Sequence, residues 1–302
     1  MNILDPAGPG ARHVATLWWP MLWISTGVFV VVVAMLVRAV LRGRRTNDDL
    51  DKRTIGWGEP FIAIAGVLVP VLILGGVYLF SLGQMNALST VGAEAKMKID
   101  VIGHDWWWEV RYPNGAITAN EIHIPVGEVV RLNLTTADVI HSFWVPELQV
   151  KQDQIPGHDN SLWISADEPG RYRGQCAEFC GLQHANMVVT VVAEDRDAYD
   201  TWVAAEARPA STVASDGADI FMSSSCAGCH AIRGTEATGQ LGPDLTHVAS
   251  RTTIAGVLDN TPTNLARFVA DPQTVKPGVT MPPTELSPEE VDAVVQYLES
   301  LR

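Results

Sequence analysis

"CAEFCGLQHANM", residues 176–187, carries two cysteines four apart, a histidine four residues after the second, and a methionine three after that. Thiolates, imidazole and thioether are soft or borderline donors, and together they select copper. Three plainer readings compete. Cys176 and Cys180 could form a disulfide in an oxidising compartment. Both cysteines and His184 could hold zinc, although methionine is not a zinc ligand. Met187 could be an ordinary core residue. A mononuclear blue-copper site needs one cysteine, two histidines and a weak methionine. A second cysteine lets two thiolates bridge two coppers, each of which then needs one histidine. His184 supplies one; the other must come from upstream, where His104, His123, His141 and His158 are available. His141, in "ADVIHSFWVPEL", lies 35 residues before Cys176, far enough to return on a neighbouring strand. It is the best placed, but spacing alone gives it no more than even standing.

A metal loop of this kind belongs between strands that fix its ends, and the flanking sequence reads as strands. "VVRLNL" alternates Val130, Leu132 and Leu134 against Arg131 and Asn133, and "EIHIPV" sets Ile122, Ile124 and Val126 on one face with His123 opposed. Gly and Pro punctuate these runs at "PNG", "PVG", "IPG" and "EPG". The pattern predicts a small all-β sandwich or barrel. Residues 203–217, "VAAEARPASTVASDG", read as a flexible linker. Beyond them the period turns helical. "SPEEVDAVVQYLESL" opens with Ser287 as N-cap, Pro288 in the first turn and Glu290 completing a capping box, then sets Val291, Val294, Val295 and Leu298 in one stripe.

Upstream, Val14–Val37 contains no charged residue, and a second uncharged run follows Glu59. Each is long enough to cross the roughly 30 Å hydrocarbon core. Trp18, Trp19, Trp23 and Trp57 lie near the ends of these runs, where aromatic belts form. The first run is a span rather than a cleaved signal, because its apolar core is long and its positive charges follow it. Arg38, Arg42, Arg44, Arg45, Lys52 and Arg53 crowd the link between the spans, whereas only Arg12 precedes them. The positive-inside rule puts that link in the cytoplasm and both termini outside. Residues 91–302 hold 29 acids against 14 bases. That balance disfavours nucleic acid and suits a basic soluble partner.

"SSSCAGCHAIRG" contains Cys226-x-x-Cys229-His230, the attachment signature of a c-type haem. The two thiols bond the porphyrin and His230 ligates iron. A thioredoxin-like pair would need a βαβ setting, which this helical segment lacks. Methionine opposite histidine raises the potential of haem iron. Met222 and Met281 are the methionines of this region. Met222 precedes Cys226 by four residues, on the attachment helix itself, so Met281 in the Gly/Pro-rich "KPGVTMPP" is the better axial ligand. His247 is the fallback.

"IHSFWVPELQVKQDQIPG" and "YRGQCAEFCGLQHANM" closely resemble subunit II of haem-copper cytochrome c oxidases. "GPDLTHVASRTT" and "DPQTVKPGVTMPP" resemble the class I cytochrome c domain fused to some of those subunits. The resemblance covers almost the whole chain. It implies a multidomain protein: a two-helix transmembrane hairpin (1–92), an all-β cupredoxin-like sandwich (93–202), the linker (203–217) and an all-α class I cytochrome c domain (218–302). It further implies a binuclear CuA centre. Cys176 and Cys180 would bridge the coppers, His141 and His184 would be terminal ligands, and Met187 and the Glu178 carbonyl weak ones. The Glu178 carboxylate would help hold magnesium at the boundary with subunit I. Trp106, in "GHDWWWEVRY", matches the exposed aromatic through which electrons enter. Trp107 stands where a tyrosine is common, and Ala63 where a proton-path glutamate often lies, with Glu59 one turn earlier.

The implied function is electron input to a bacterial plasma-membrane oxidase. Electrons would pass from cytochrome c through haem c and CuA to the oxygen-reducing site in subunit I, coupled to proton translocation, with subunit III and lipid as further neighbours. A CuA subunit of a nitric oxide reductase and a free membrane-anchored redox shuttle are the alternatives. The copper motif argues against a quinol oxidase subunit.

Overall fold

The computed structural model describes residues 2, 4–43, 58–92, 95–211 and 214–302. The basic cluster at Arg44, Arg45, Lys52 and Arg53, together with Trp57, lies outside them, as does the side chain of Glu59.

The chain divides into two compact units, Arg12–Val91 and the remainder. The first is helical. α1 (Pro9–Gly43) is followed by a second rod built from α2 (Gly58–Ala63), a π-helical turn (Ile64–Leu68) and α3 (Val69–Gly92). Both rods are long and apolar enough to cross a membrane. Their Leu, Val and Phe side chains point outward, as lipid rather than a protein core requires (Phe29, Leu72 and Leu79 are mostly exposed). His13 Nδ1 meets Gln84 Oε1 at 2.7 Å, which joins the start of α1 to the end of α3. The π turn falls just before Pro70, whose ring cannot fit under the carbonyl four residues back in a regular helix.

The second unit opens into a β-sandwich. One sheet comprises β1 (Met97–His104), β2 (Trp107–Arg111), β3 (Ile117–Ala119), β5 (Val130–Thr136) and β8 (Asn160–Ile164), in the order β3-β2-β1-β5-β8. The other comprises β4 (Glu121–Pro125), β6 (His141–Trp144), β7 (Gln152–Gln154), β9 (Gly170–Cys176) and β10 (Val188–Glu194), in the order β4-β10-β9-β6-β7. The alternation read from β5 is realised: Val130, Leu132 and Leu134 are fully buried and Arg131 is exposed. β4 departs from a half-buried strand, because all five of its residues are buried. Its polar face is covered by α4 (Arg196–Glu206), whose Trp202 stacks on the His123 ring at 3.7 Å.

The stretch expected to be a flexible linker from 203 is ordered at its start. Residues 203–206 form the last turn of α4, and Tyr199, Trp202, Val203 and Ala207 join the sandwich core. The next few residues are clasped by Arg233, whose guanidinium donates to the Glu206, Ala207 and Gly115 carbonyls at 2.6, 3.2 and 3.0 Å. Ala210 N–H in turn donates to the Arg233 carbonyl at 2.9 Å. Burial of an amphipathic face at positions 199, 202 and 203 outweighs the linker-like composition.

The final part is helical: α5 (Asp216–Ser223), α6 (Cys226–Cys229), α7 (Pro262–Ala270) and α8 (Pro288–Ser300). α5 crosses α8 at Gly217, where any Cβ would overlap the Ala293 carbonyl. The capping box of α8 is complete: Glu290 N–H donates to Ser287 Oγ, and Ser287 N–H donates to the Glu290 carboxylate. Val291, Val294, Val295 and Leu298 are buried, with Tyr297 beside them. A two-residue strand pair, β11 (Thr253–Ile254) and β12 (Leu258–Asp259), interrupts the helices.

A preassembled sulfur cluster and a haem-attachment segment

Strand register explains why residues far apart in sequence meet. β6 pairs with β9 so that Phe143 faces Cys176. His141, two residues before Phe143, therefore projects over the loop that follows Cys176. That loop, 177–187, returns into β10, and Met187 carbonyl accepts from Cys176 N–H at 2.9 Å to close it. The donors converge inside. Cys176 Sγ lies 3.8 Å from Cys180 Sγ, 4.0 Å from His141 Nδ1 and 3.2 Å from the Glu178 carbonyl. Cys180 Sγ lies 3.7 Å from His184 Nδ1 and 3.8 Å from Met187 Sδ. His141, Cys176, Cys180 and Met187 are all buried.

These separations fit metal. First-row metals sit about 2.3 Å from sulfur and about 2.0 Å from imidazole nitrogen, so each gap is shorter than two such bonds end to end. The electrostatics favour a thiolate. Cys176 is driven well below the usual thiol range, first by the hydrogen bond from Cys180 and then, against its burial, by His141; Cys180 is driven up correspondingly, so the pair shares one proton. Burial disfavours charge on His141, but hydrogen bonds to Asp138 and Cys176 outweigh it and raise the pKa to about 9. Asp138 Oδ1 holds His141 Nε2 at 2.7 Å. That contact fixes the ring and turns Nδ1 toward the sulfurs, as carboxylate partners of metal-binding histidines do. The Glu178 carboxylate points away and pairs with Lys151 at 3.5 Å.

Trp106 differs from expectation. It is 9 % exposed, not an open surface aromatic. Its indole N–H donates to the Cys180 carbonyl at 2.8 Å, so it backs directly onto the sulfur loop. The helical domain supplies the lid: Lys276 Nζ donates to the Trp106 carbonyl at 2.7 Å, and Gln183 Nε2 to the Pro277 carbonyl at 2.7 Å. Trp107 stacks on His104 with ring centroids 4.2 Å apart. His104 and His123 are engaged by acids, at Glu109 and at Glu121 with Glu194, and stand apart from the sulfur cluster.

In the helical domain Cys226 and Cys229 are free thiols, partly exposed on α6. His230 follows in extended backbone, and its Nδ1 lies 2.8 Å from the Pro243 carbonyl. Nε2 is thus the nitrogen left for iron. Burial lowers the pKa of His230, which favours the neutral, ligating form. A Cβ on Gly242 would come within 2.5 Å of the His230 ring, so the glycine leaves room for the imidazole. Met281 sits on a separate loop, its carbonyl accepting from Gln273 Nε2 at 2.9 Å. His247 is committed elsewhere, with Nε2 2.9 Å from the Arg208 carbonyl, and Met222 packs against the domain core. Free thiols, a preset imidazole and a thioether on a second segment suit a covalently attached haem. Sequence reasoning missed Asp138, Gln183 and Lys276. Asp138 lies three residues before His141 and Gln183 directly before His184, but neither residue type marks a site by itself.

Comparison with known proteins agrees with this division. Residues 116–194 match the family described as cytochrome C oxidase subunit II, periplasmic domain, and residues 214–302 match the cytochrome c family. Cytochrome c oxidase subunit 2 of Alkalihalophilus pseudofirmus is 36 % identical over all of this chain and 91 % of its own length. The protein of the same name from Bacillus sp. strain PS3 is 31 % identical, over all of this chain and 92 % of its own. The crystal structure of the periplasmic domain of subunit II of cytochrome oxidase of Bradyrhizobium japonicum is 32 % identical, covering 37 % of this chain and 94 % of that one, with a TM-score of 0.36. The chain belongs to the cytochrome c oxidase subunit 2 family, in the form that carries a cytochrome c domain fused to its C-terminal side.

Proposed function

We propose that the chain is the electron-input subunit of a respiratory oxidase, with Cys176, Cys180, His141, His184, Met187 and the Glu178 carbonyl holding binuclear copper and Cys226, Cys229, His230 and Met281 holding haem c. When bound, these centres supply reversible one-electron chemistry that relays electrons from a c-type donor toward an oxygen-reducing site in subunit I, where proton translocation is coupled. The observation that carries this reading is the convergence of both thiols, both imidazoles and the thioether, each within 4.0 Å of a neighbouring donor. The residues of the chain have separate tasks. Asp138 orients His141, Trp106 braces the Cys180 peptide, and the Pro243 carbonyl fixes the tautomer of His230.

The Glu178 carboxylate, 45 % exposed and beside Lys151, is available to a hard cation such as magnesium at a contact with subunit I. The arginine and lysine excess between the two spans supports a cytoplasmic link, with both metal domains outside the plasma membrane. Subunit III and the acid-seeking basic face of a soluble cytochrome c complete the expected surroundings.

The test is to purify the chain with its membrane partners. Two coppers and one haem iron per chain, with oxygen uptake driven by reduced cytochrome c, are expected. One copper, or zinc in its place, would sink the binuclear assignment. Nitric oxide consumption without oxygen uptake would transfer the chain to a different reductase.

A further inference from the structure

Lys276 is 2 % exposed, a rare fate for a lysine. Its ammonium is met by two backbone carbonyls, Trp106 at 2.7 Å and Ala255 at 3.0 Å. One belongs to the sandwich and the other to the cytochrome domain, so the cation bridges the two. Burial pushes its pKa down to about 8, a measure of what it costs to keep the charge there. An apolar side chain would fill the space without that cost.

The surroundings show what the lysine holds. It begins the 276–281 loop, which ends at Met281. Gln273 clips the interior of the loop, receiving Gly278 N–H at 2.8 Å and donating to the Val279 and Met281 carbonyls at 2.8 and 2.9 Å. Gln183, on the sulfur loop, binds the Pro277 carbonyl. Gly278 faces Leu182 and the Trp106 ring. The loop is therefore rigid within itself and is attached to the sulfur loop and Trp106 at neighbouring points.

We propose that Lys276 is a positioning residue that seats the Met281 loop on Trp106 and so fixes the haem-bearing domain against the tryptophan that braces the copper loop. This rests on the assignment of Met281 to haem and of Cys176 and Cys180 to copper. A fixed separation matters because electron transfer between two centres slows steeply as they move apart.

The experiment uses the detergent-purified oxidase with both cofactors loaded, in wild type, Lys276→Leu and the milder Lys276→Gln. Two quantities are read: amide hydrogen exchange by mass spectrometry, and haem-to-copper transfer after flash reduction. In Lys276→Leu, amides of 103–108 and 276–281 should exchange about 10-fold faster, while those of β5 and α8 stay unchanged. Transfer should slow by about 10- to 100-fold. Haem and copper absorption should match wild type, and Lys276→Gln should fall between the two. If either exchange at these segments or the transfer rate stays at the wild-type value in both variants, the proposal is overturned. Failure of the underlying assignment looks different, since the wild-type protein would then lack the haem or copper absorption before any lysine is changed.

Discussion

The sulfur cluster and the haem segment reach a similar end by opposite means. At the cluster the protein does the assembling: strand register brings His141 to within 4.0 Å of a cysteine 35 residues away, and every side-chain donor but the half-buried His184 is buried. At the haem segment the thiols stay partly exposed on a single helical turn, and His230 and Met281 stand on separate segments. The sulfur loop is a finished receptacle, whereas the haem segment would be completed by the macrocycle it is proposed to bind. A site made by backbone register can tolerate loss of its ligand; a site completed by its ligand cannot.

The hardest test of that contrast removes each cofactor's anchor. Cys226→Ser with Cys229→Ser should abolish covalent haem on denaturing gels and unfold α5–α8, seen as loss of exchange protection there. Cys180→Ser should abolish the mixed-valence optical and EPR signature of the copper pair, yet leave the sandwich amides protected. Equal collapse of both domains would break the contrast.

Next in size is the seam between the regions. Glu121, on β4, accepts from Thr252 Oγ1 at 2.5 Å across that seam and pairs with His123 at 2.9 Å. Burial disfavours its charge, but the hydrogen bonds from His123 and Thr252 outweigh it and lower the pKa from 4.5 to about 2. A depressed carboxylate contributes stability that is complete above pH 4.5 and is lost as pH falls toward 2. The amount is about 3 kcal/mol. His123 works in the other direction. Burial opposes its charge, Glu121 and Glu194 raise its pKa above 6.5, and its contribution is complete below pH 6.5 and lost as pH rises through the raised value. Unfolding midpoints measured across pH should show the loss below 4.5, and Glu121→Gln should flatten it. An unchanged profile in that variant would remove Glu121 from the seam.

Smaller effects sharpen the description of the receptacle. Asp138→Asn keeps the shape but weakens the hold on His141, and copper affinity by competition with a chelator should fall about 10- to 100-fold. Met187→Leu conserves volume, so the sandwich should lose less than about 1.5 kcal/mol, while the copper absorption shifts because the thioether is gone. An unshifted spectrum would make Met187 a core residue only.

The same contrast governs what was readable beforehand. The candidate copper donors at 176, 180, 184 and 187 lie within twelve residues, so their spacing is read locally, and Cys226-x-x-Cys229-His230 is equally local. His141 is different. Its membership depends on the pairing of β6 with β9; spacing made it the best placed of four histidines, and family resemblance strengthened that choice. The β5 alternation and the α8 stripe were legible because one face of each is buried. α4 was not, since the Ala-rich "VAAEARP" masks an apolar set at Tyr199, Trp202 and Val203 that begins before it. Trp106 was expected on the surface and Lys276 drew no expectation; both are buried where the helical domain meets the sandwich, a contact that residue type does not predict.

The clasp of Arg233 on residues 206–210 also bears on how the haem travels. Ala207 packs on the sandwich core, whereas Ala210 packs in the helical core and is held by the Arg233 carbonyl, so the tether between the two is the stretch 207–210. Fully extended, its three steps reach about 10 Å. An undocked cytochrome domain would be leashed, not adrift, and would sweep a shell of molecular dimensions before re-engaging. Dilution should leave the haem-to-copper step untouched, and solvent viscosity should slow it only if that sweep, rather than the relay itself, sets the pace.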